Sequence, residues 1–430
     1  MEPLLATVLA LILTAIALMI AHRSPRLAVI AALCILCFLP VWIGARLGFN
    51  GNLFLPAAVL ASLAVALVLL PVRGVRPSPV DALLLFLIVV ATSSFITSDA
   101  TLALAFLVTP FSYFVAGYAL GRIAAARLGV DFVYRAVAIL FTIVAVLAIV
   151  EFATGFNPFI GLLVDNSLFR EWGDIQLRGG FDRTEGAFGH SIALGASLAL
   201  AVPLTLAARF SFGLRLTMVG LMLVATVFTF SRVGIGCAAL GVVLCAVLLR
   251  DHLGRAQRAV ILAGTIVVGL VLLPLVTTVF SEAGEEAAGS AAYRGDLFSL
   301  LASANLIGFS DSAHRAPSGN LTFGRYVSID SQLVLTALST GLLALGAVVA
   351  ALMVAIVLCL RGRAQPATIA IVAQLPALAT VALITQYAVL LWVIVGIAAT
   401  SQTLARPAAS RSPALPALLP YPITPTTTGV

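Results

Sequence analysis

The sequence predicts an all-α, polytopic membrane protein with about 12–13 spanning helices and two long extracytoplasmic loops. Three observations predict it. Of 430 residues, 62% are hydrophobic and only 10% are charged, with a mean hydropathy of +1.16; a soluble chain is about 45–50% apolar. Apolar runs of roughly 17–25 residues recur along the chain, the length that crosses a bilayer as a helix. All 24 basic residues are Arg, and sixteen of them fall in alternate connections between those runs, with six more in the two long outer loops.

In order, the apolar spans lie at about 4–21, 27–44, 53–70, 80–97, 101–119, 132–150, 188–206, 214–230, 233–249, 259–280, 331–360, 367–384 and 388–400. The last two are short enough for a re-entrant hairpin. The first lacks a basic leader and carries Glu2, so it reads as a retained helix rather than a signal peptide. With the 22–26 loop cytoplasmic, alternation puts sixteen Arg in inner segments and two, Arg46 and Arg232, in short outer turns. That bias sets the orientation. The net charge of +7 therefore reads as topology, not as a nucleic-acid surface.

Six regions follow: N-terminal spanning helices (1–150), a first outer loop (151–187), spanning helices with an Arg-bearing outer turn (188–280), a large outer loop (281–330), C-terminal spanning helices (331–405) and a disordered cytoplasmic tail (406–430) rich in Pro and Thr. The large loop opens acidic, at Glu282, Glu285 and Glu286. Leu297, Leu300, Leu301 and Leu306 then suggest an amphipathic helix on the outer surface.

The polar groups concentrate at the outer boundary. In "RGGFDRTEGAFGHSIALG" (178–195), Arg178 and Arg183 precede a helix start, with Glu185 and His190 as nearby titratable groups. A guanidinium presents a planar fork suited to phosphate, and a helix N-terminus adds free N–H groups and a positive dipole end. The alternative for Arg183 is an ion pair with Asp182 or Glu185 that pins the loop. Arg232, in "TFSRVGIG", faces the same anion or snorkels to the interface. Arg294 sits in the large loop. Asp330, at the mouth of the following span, is a helix N-cap or a general base.

The five Cys lie inside apolar runs without disulfide or zinc spacing. His22 and His252 receive no role, and His314 is a solvated reserve candidate. There is no D-x-D in an outer loop and no Walker A sequence. The spans hold almost no ionisable residues, which speaks against an ion-coupled transporter.

Together these segments resemble the O-antigen ligase and O-antigen polymerase family of bacterial membrane glycosyltransferases. The family pattern R-x-x-G-x-F-x-(H/N)-(P/S)-x-x-L-G is matched by Arg183, Gly186, Phe188, His190, Ser191, Leu194 and Gly195. The family's S-R pair is similar to Ser231 and Arg232, and its long outer loop to the stretch from Arg294 to Asp330. The downstream "GLLALG" (341–346) also fits, and the match covers about residues 140–360. Arg178 and Gly189 bracket ten residues, an Arg-x(10)-Gly spacing seen in some polymerases of the family. The "GHS" and "IDS" variants look closer to polymerases than to ligases. Ser331 stands where the family usually has Asn, and Asp330 where many members have His.

The resemblance implies glycosyl transfer from an undecaprenyl-pyrophosphate-linked glycan to a glycan or lipid acceptor. The reaction would take place at the outer face of the bacterial cytoplasmic membrane, with neither metal nor other cofactor. Arg183 and Arg232, with Arg178 or Arg294, would hold the pyrophosphate; Asp330 or His190 would be the base. Three rivals remain: a lipid-linked glycan flippase or transporter, a cell-wall polymerase of the shape, elongation, division and sporulation type, and a structural membrane partner. A flippase would place its charges along a central path.

Overall fold

The computed structural model describes residues 23–47, 53–70, 72, 76–97, 109–282, 293, 295–315 and 321–405. Fifteen helices run in order among these residues: α1 (Pro25–Phe38), α2 (Ala57–Val68), α3 (Pro79–Thr97), α4 (Thr109–Leu128), α5 (Val130–Thr154), α6 (Ser167–Trp172), α7 (Ser191–Ala207), α8 (Phe212–Phe228), α9 (Arg232–Leu248), α10 (Arg255–Glu282), α11 (Gln332–Thr340), α12 (Leu342–Leu360), α13 (Pro366–Ala373), α14 (Leu375–Thr380) and α15 (Thr385–Ala405). Among the described residues strands occur as three antiparallel pairs in connections: β1 (Gly44–Leu47) with β2 (Leu53–Pro56), β3 (Leu177–Arg178) with β4 (Phe181–Asp182), and β5 (Ala313–Arg315) with β6 (Leu321–Phe323).

Among the described residues four helices, α5, α10, α12 and α15, are long and apolar enough to cross a membrane. Burial separates them. Only 6% of the most apolar window of α10 and 11% of that of α12 is buried, against 72% for α15. Ile266, Val267, Leu270 and Val271 of α10 stand more than half exposed. Apolar surface on this scale is what a lipid-facing helix presents and water penalises.

The centre is α7, buried around its whole circumference. Helices α5, α8, α9, α13 and α15 pack around it, as expected of a helix apolar on every face. Helices α4 and α15 make the closest approach: a methyl group at Gly121 would strike the Val393 backbone, and one at Gly396 the Tyr118 backbone. Small residues of this kind let helix backbones meet without relying on water. At one end of this pair, Arg122 is buried against Asp81 at 3.0 Å and also donates to Thr400 Oγ1 and the Arg76 carbonyl.

The elements depart from the apolar runs in four places. The 27–44 run stops at Phe38, and its end enters the β1–β2 hairpin. The 331–360 run breaks at Gly341, whose φ of +100° and tight contact with Ile307 leave no room for a Cβ. The freed backbone groups are met by the preceding loop: Leu342 and Leu343 N–H donate to the Asn305 and Leu306 carbonyls, and Gly308 N–H to that of Thr340. The 367–384 run splits at Gln374, two residues before Pro376, which has no N–H to continue the ladder. The last run is no short hairpin arm; it belongs to the 21-residue α15. The 4–21 run, residues 101–108 of the 101–119 run and the 406–430 tail lie outside the described residues.

Residues 295–331 build a small core of their own. Leu297, Phe309, Leu321, Phe323 and Ile329 pack on Val334 and Leu338 of α11 and Ala91 of α3. Leu297 thus faces that core, and Leu300–Ser303 form a 3-10 turn. The expected amphipathic helix is present in part: residues 295–299 are helical, with Leu297 buried and Phe298 half exposed, and the stretch packs on α11 instead of lying free on the surface.

Candidate functional site: an arginine-lined turn

The short connection between α8 and α9 organises the site. Phe230 adopts φ +46°, a left-handed conformation rare for an aromatic residue. Ser231 then caps α9, accepting from Gly234 N–H at 3.1 Å. This sharp reversal turns successive carbonyls toward the β3–β4 hairpin. Arg183 Nε donates to the Thr229 carbonyl at 3.0 Å and Arg178 Nη1 to the Phe230 carbonyl at 3.1 Å. Arg232 follows two residues later, its guanidinium 4.4 Å from the Phe280 ring centroid; that of Arg178 lies 5.8 Å from the same ring. Three of the four arginines picked out in the sequence therefore meet at one turn, at the end of the apolar, largely exposed α10. Arg183 is buried, Arg178 half-buried and Arg232 exposed. The fourth, Arg294, lies outside the described residues.

Gln176 ties this cluster to the following segment. Its carbonyl accepts from Arg183 N–H, and its Oε1 from Arg183 Nη1 and Ser191 Oγ. Its N–H donates to Glu185 Oε1 at 3.1 Å. Glu185 is only 2% exposed. Burial pushes its carboxyl up to about 7, against the pull of the Gln176 N–H and Arg183, with Glu151 adding to the rise.

His190 has a structural duty. Its Nδ1 accepts from Ile192 N–H at 3.1 Å, capping α7, so the ring proton of the neutral form belongs on Nε2. Burial, aided by Arg183, holds its pKa down to about 3. Trp172 packs edge-on against the ring.

Asp330 belongs to a different local cluster. It is half-buried and accepts from Ser328 Oγ at 3.0 Å. The cap of α11 is Ser331, which accepts from Val334 N–H; the Asp330 carboxylate is left outside the helix. Tyr293, which donates to the Ser328 carbonyl and stacks edge-on with Tyr326, stands close enough to feel the Asp330 charge.

Two positioning residues escaped the sequence reading. Glu151, at the end of α5, accepts from Glu185 N–H, Gly186 N–H and Asn157 Nδ2 at 2.9–3.1 Å, fixing the turn before α7. Its signal was present: a lone acid closing a long apolar run. Gln386 is buried in α15 and donates to the Leu39 and Ala187 carbonyls, each at 2.7 Å. Neither it nor Gln176 lies in any motif. Among the described residues no three His, Cys, Asp or Glu side chains gather as metal ligands would.

Chemically, the turn offers three guanidinium groups beside an apolar ring, with a carboxyl able to change charge near neutrality behind them. No family model matches this chain, and no curated protein or solved structure is significantly similar to it.

Proposed function

We propose that the protein is a polytopic enzyme of the bacterial cytoplasmic membrane. It transfers a glycan from a polyprenyl-pyrophosphate carrier to an acceptor hydroxyl at the outer face, as a polysaccharide polymerase or ligase. The observation that carries this reading is the convergence of Arg178, Arg183 and Arg232 on the Thr229–Arg232 turn beside Phe280. A pyrophosphate diester joined to a lipid needs cations at the membrane boundary and an apolar surface leading away from them. The cluster and the exposed face of α10 offer both.

In the proposed reaction the acceptor oxygen attacks the anomeric carbon. The bond from that carbon to the phosphate oxygen breaks, and its electron pair leaves with polyprenyl pyrophosphate. The arginines stabilise the charge that grows there, and the leaving group is a stable anion once they hold it. Asp330 is assigned as the base that takes the hydroxyl proton, as a partly accessible carboxylate left outside the α11 cap. Glu185 is buried, so it is assigned to tuning Arg183. His190 Nδ1 is committed to the α7 cap.

The test is transfer from a synthetic polyprenyl-pyrophosphate oligosaccharide by purified protein in detergent with EDTA. Wild type should consume the donor. Arg183→Lys, which keeps charge but loses the fork, should lose most activity, and Asp330→Asn should retain donor binding while losing turnover. If no donor is consumed, yet reconstituted vesicles move lipid-linked sugar across the bilayer, the flippase reading takes its place.

A further inference from the structure

The opposite end of α10 carries a second cluster. Helix α9 ends at Leu248 and α10 begins at Arg255. The turn between them, with the first residues of α10, encloses a cavity of about 550 Å³ lined by Arg250, Leu253, Gly254, Arg255 and Arg258. The protein engages these arginines sparingly. Arg250 Nε donates to the Val247 carbonyl and Arg258 Nη1 to the Ala246 carbonyl; Arg255 makes no side-chain hydrogen bond among the described residues. None of the three has an ion-pair partner among the described residues, although Asp251 shares the turn. The Nε of Arg258 is buried without an acceptor among the described residues. Guanidinium groups without ion-pair partners gathered around one cavity favour an anion there.

The surroundings say what kind of anion. Val243 and Val247 of α9 and Val260 and Ile266 of α10, all 43–62% exposed, form apolar faces leading away from the cavity. A free phosphate would use the cavity and leave those faces bare; an amphiphile would cover both. We propose that this cavity holds the phosphate headgroup of an anionic phospholipid whose acyl chains lie along α9 and α10. Basic pockets at the inner membrane boundary suit such headgroups. The inference rests on the membrane reading, with the 249–258 turn on the inner side, and is independent of glycosyl transfer.

The test needs no turnover. The thermal midpoint of the full chain in detergent is measured with added phosphatidylglycerol, phosphatidylcholine or inorganic phosphate. Wild type should gain more from phosphatidylglycerol than from phosphatidylcholine, and nothing specific from phosphate. Arg250→Gln/Arg255→Gln/Arg258→Gln should lose that extra gain, with lipid affinity falling roughly fivefold per arginine removed. The control is Arg361→Gln/Arg363→Gln, which removes exposed charge from the turn after α12 and should keep the gain. If the triple variant does not fold, Arg255→Gln alone is read, since that side chain supports nothing else. Equal gain in wild type and the arginine variant overturns the proposal. So does equal loss in the control, or protection by phosphate alone.

Discussion

Glu185 makes stability depend on pH in a direction that can be worked out. Its carboxyl moves from an ordinary 4.5 up to about 7, chiefly through burial. An acid whose folded pKa is raised binds its proton more tightly when folded. Its favourable contribution is complete below about 4.5 and disappears as pH climbs through about 7. The rise corresponds to roughly 3 kcal/mol. Glu185→Gln keeps an oxygen to accept the Gln176 N–H, and it has no charge to desolvate. At pH 4.5 the variant and wild type should unfold alike. At pH 8 the variant should be more stable by up to roughly 3 kcal/mol, a rise of a few degrees in the thermal midpoint. The assay is thermal unfolding of both proteins in detergent between pH 4.5 and 8.5, followed by tryptophan fluorescence. Parallel curves would refute the reasoning. A variant less stable than wild type at high pH would refute it more sharply, because the attraction of Arg183 would then outweigh the cost of burial.

Glu151→Ala strips the acceptor from three buried donors and should cost about 3 kcal/mol or more; Glu151→Gln, which keeps one acceptor oxygen, should cost less, both read by the same unfolding assay. Gly121→Ala should lower the thermal midpoint by several degrees because its methyl meets the Val393 backbone, whereas Gly220→Ala, where nothing lies within 4 Å, should not. Phe280→Leu removes the ring shared by Arg178 and Arg232, interactions of about 0.5–1 kcal/mol each. Donor KM should rise a few-fold while stability barely changes; an unchanged KM would take Phe280 out of the site.

The apolar spans and the boundary arginines were legible because both signals are local. A run of Leu, Val and Ala declares a helix wherever it lies, and Arg in a chain this apolar stands out. The centrality of α7 was not legible. It and the largely exposed α10 read alike in sequence, since a helix apolar on every face suits either the bundle core or the bilayer. The break at Gly341 was hidden because a lone Gly is tolerated in a helix. What enforces it is the approach of Asn305–Ile307, about 35 residues away in sequence. The Gln374–Pro376 break carried a visible Pro, outweighed by the length of the run. Gln176 and Gln386 act through backbone carbonyls and N–H groups far along the chain, and such partners leave no periodic trace.

The two sides of the candidate site communicate through one short segment. On the Asp330 side, Gln332 N–H donates to the Val381 carbonyl, and its Oε1 accepts from Leu383 N–H. Three residues on, Gln386 reaches the Ala187 carbonyl, in the turn that carries Glu185 and His190. The 381–386 stretch, which is the α14–α15 connection and the first two residues of α15, is therefore a bridge from α11 to the turn before α7. Among the described residues, the two non-glycine positions with positive φ are Phe230 and Thr385, one in the arginine turn and one in this bridge. Each such conformation costs about 1–3 kcal/mol and persists only when its surroundings over-determine it. Both are buried, Phe230 fully and Thr385 nearly so. The strain falls at two reversals, one opening α9 in the arginine turn and one opening α15. That is the distribution expected if the fold spends stability on holding this geometry rather than on packing alone.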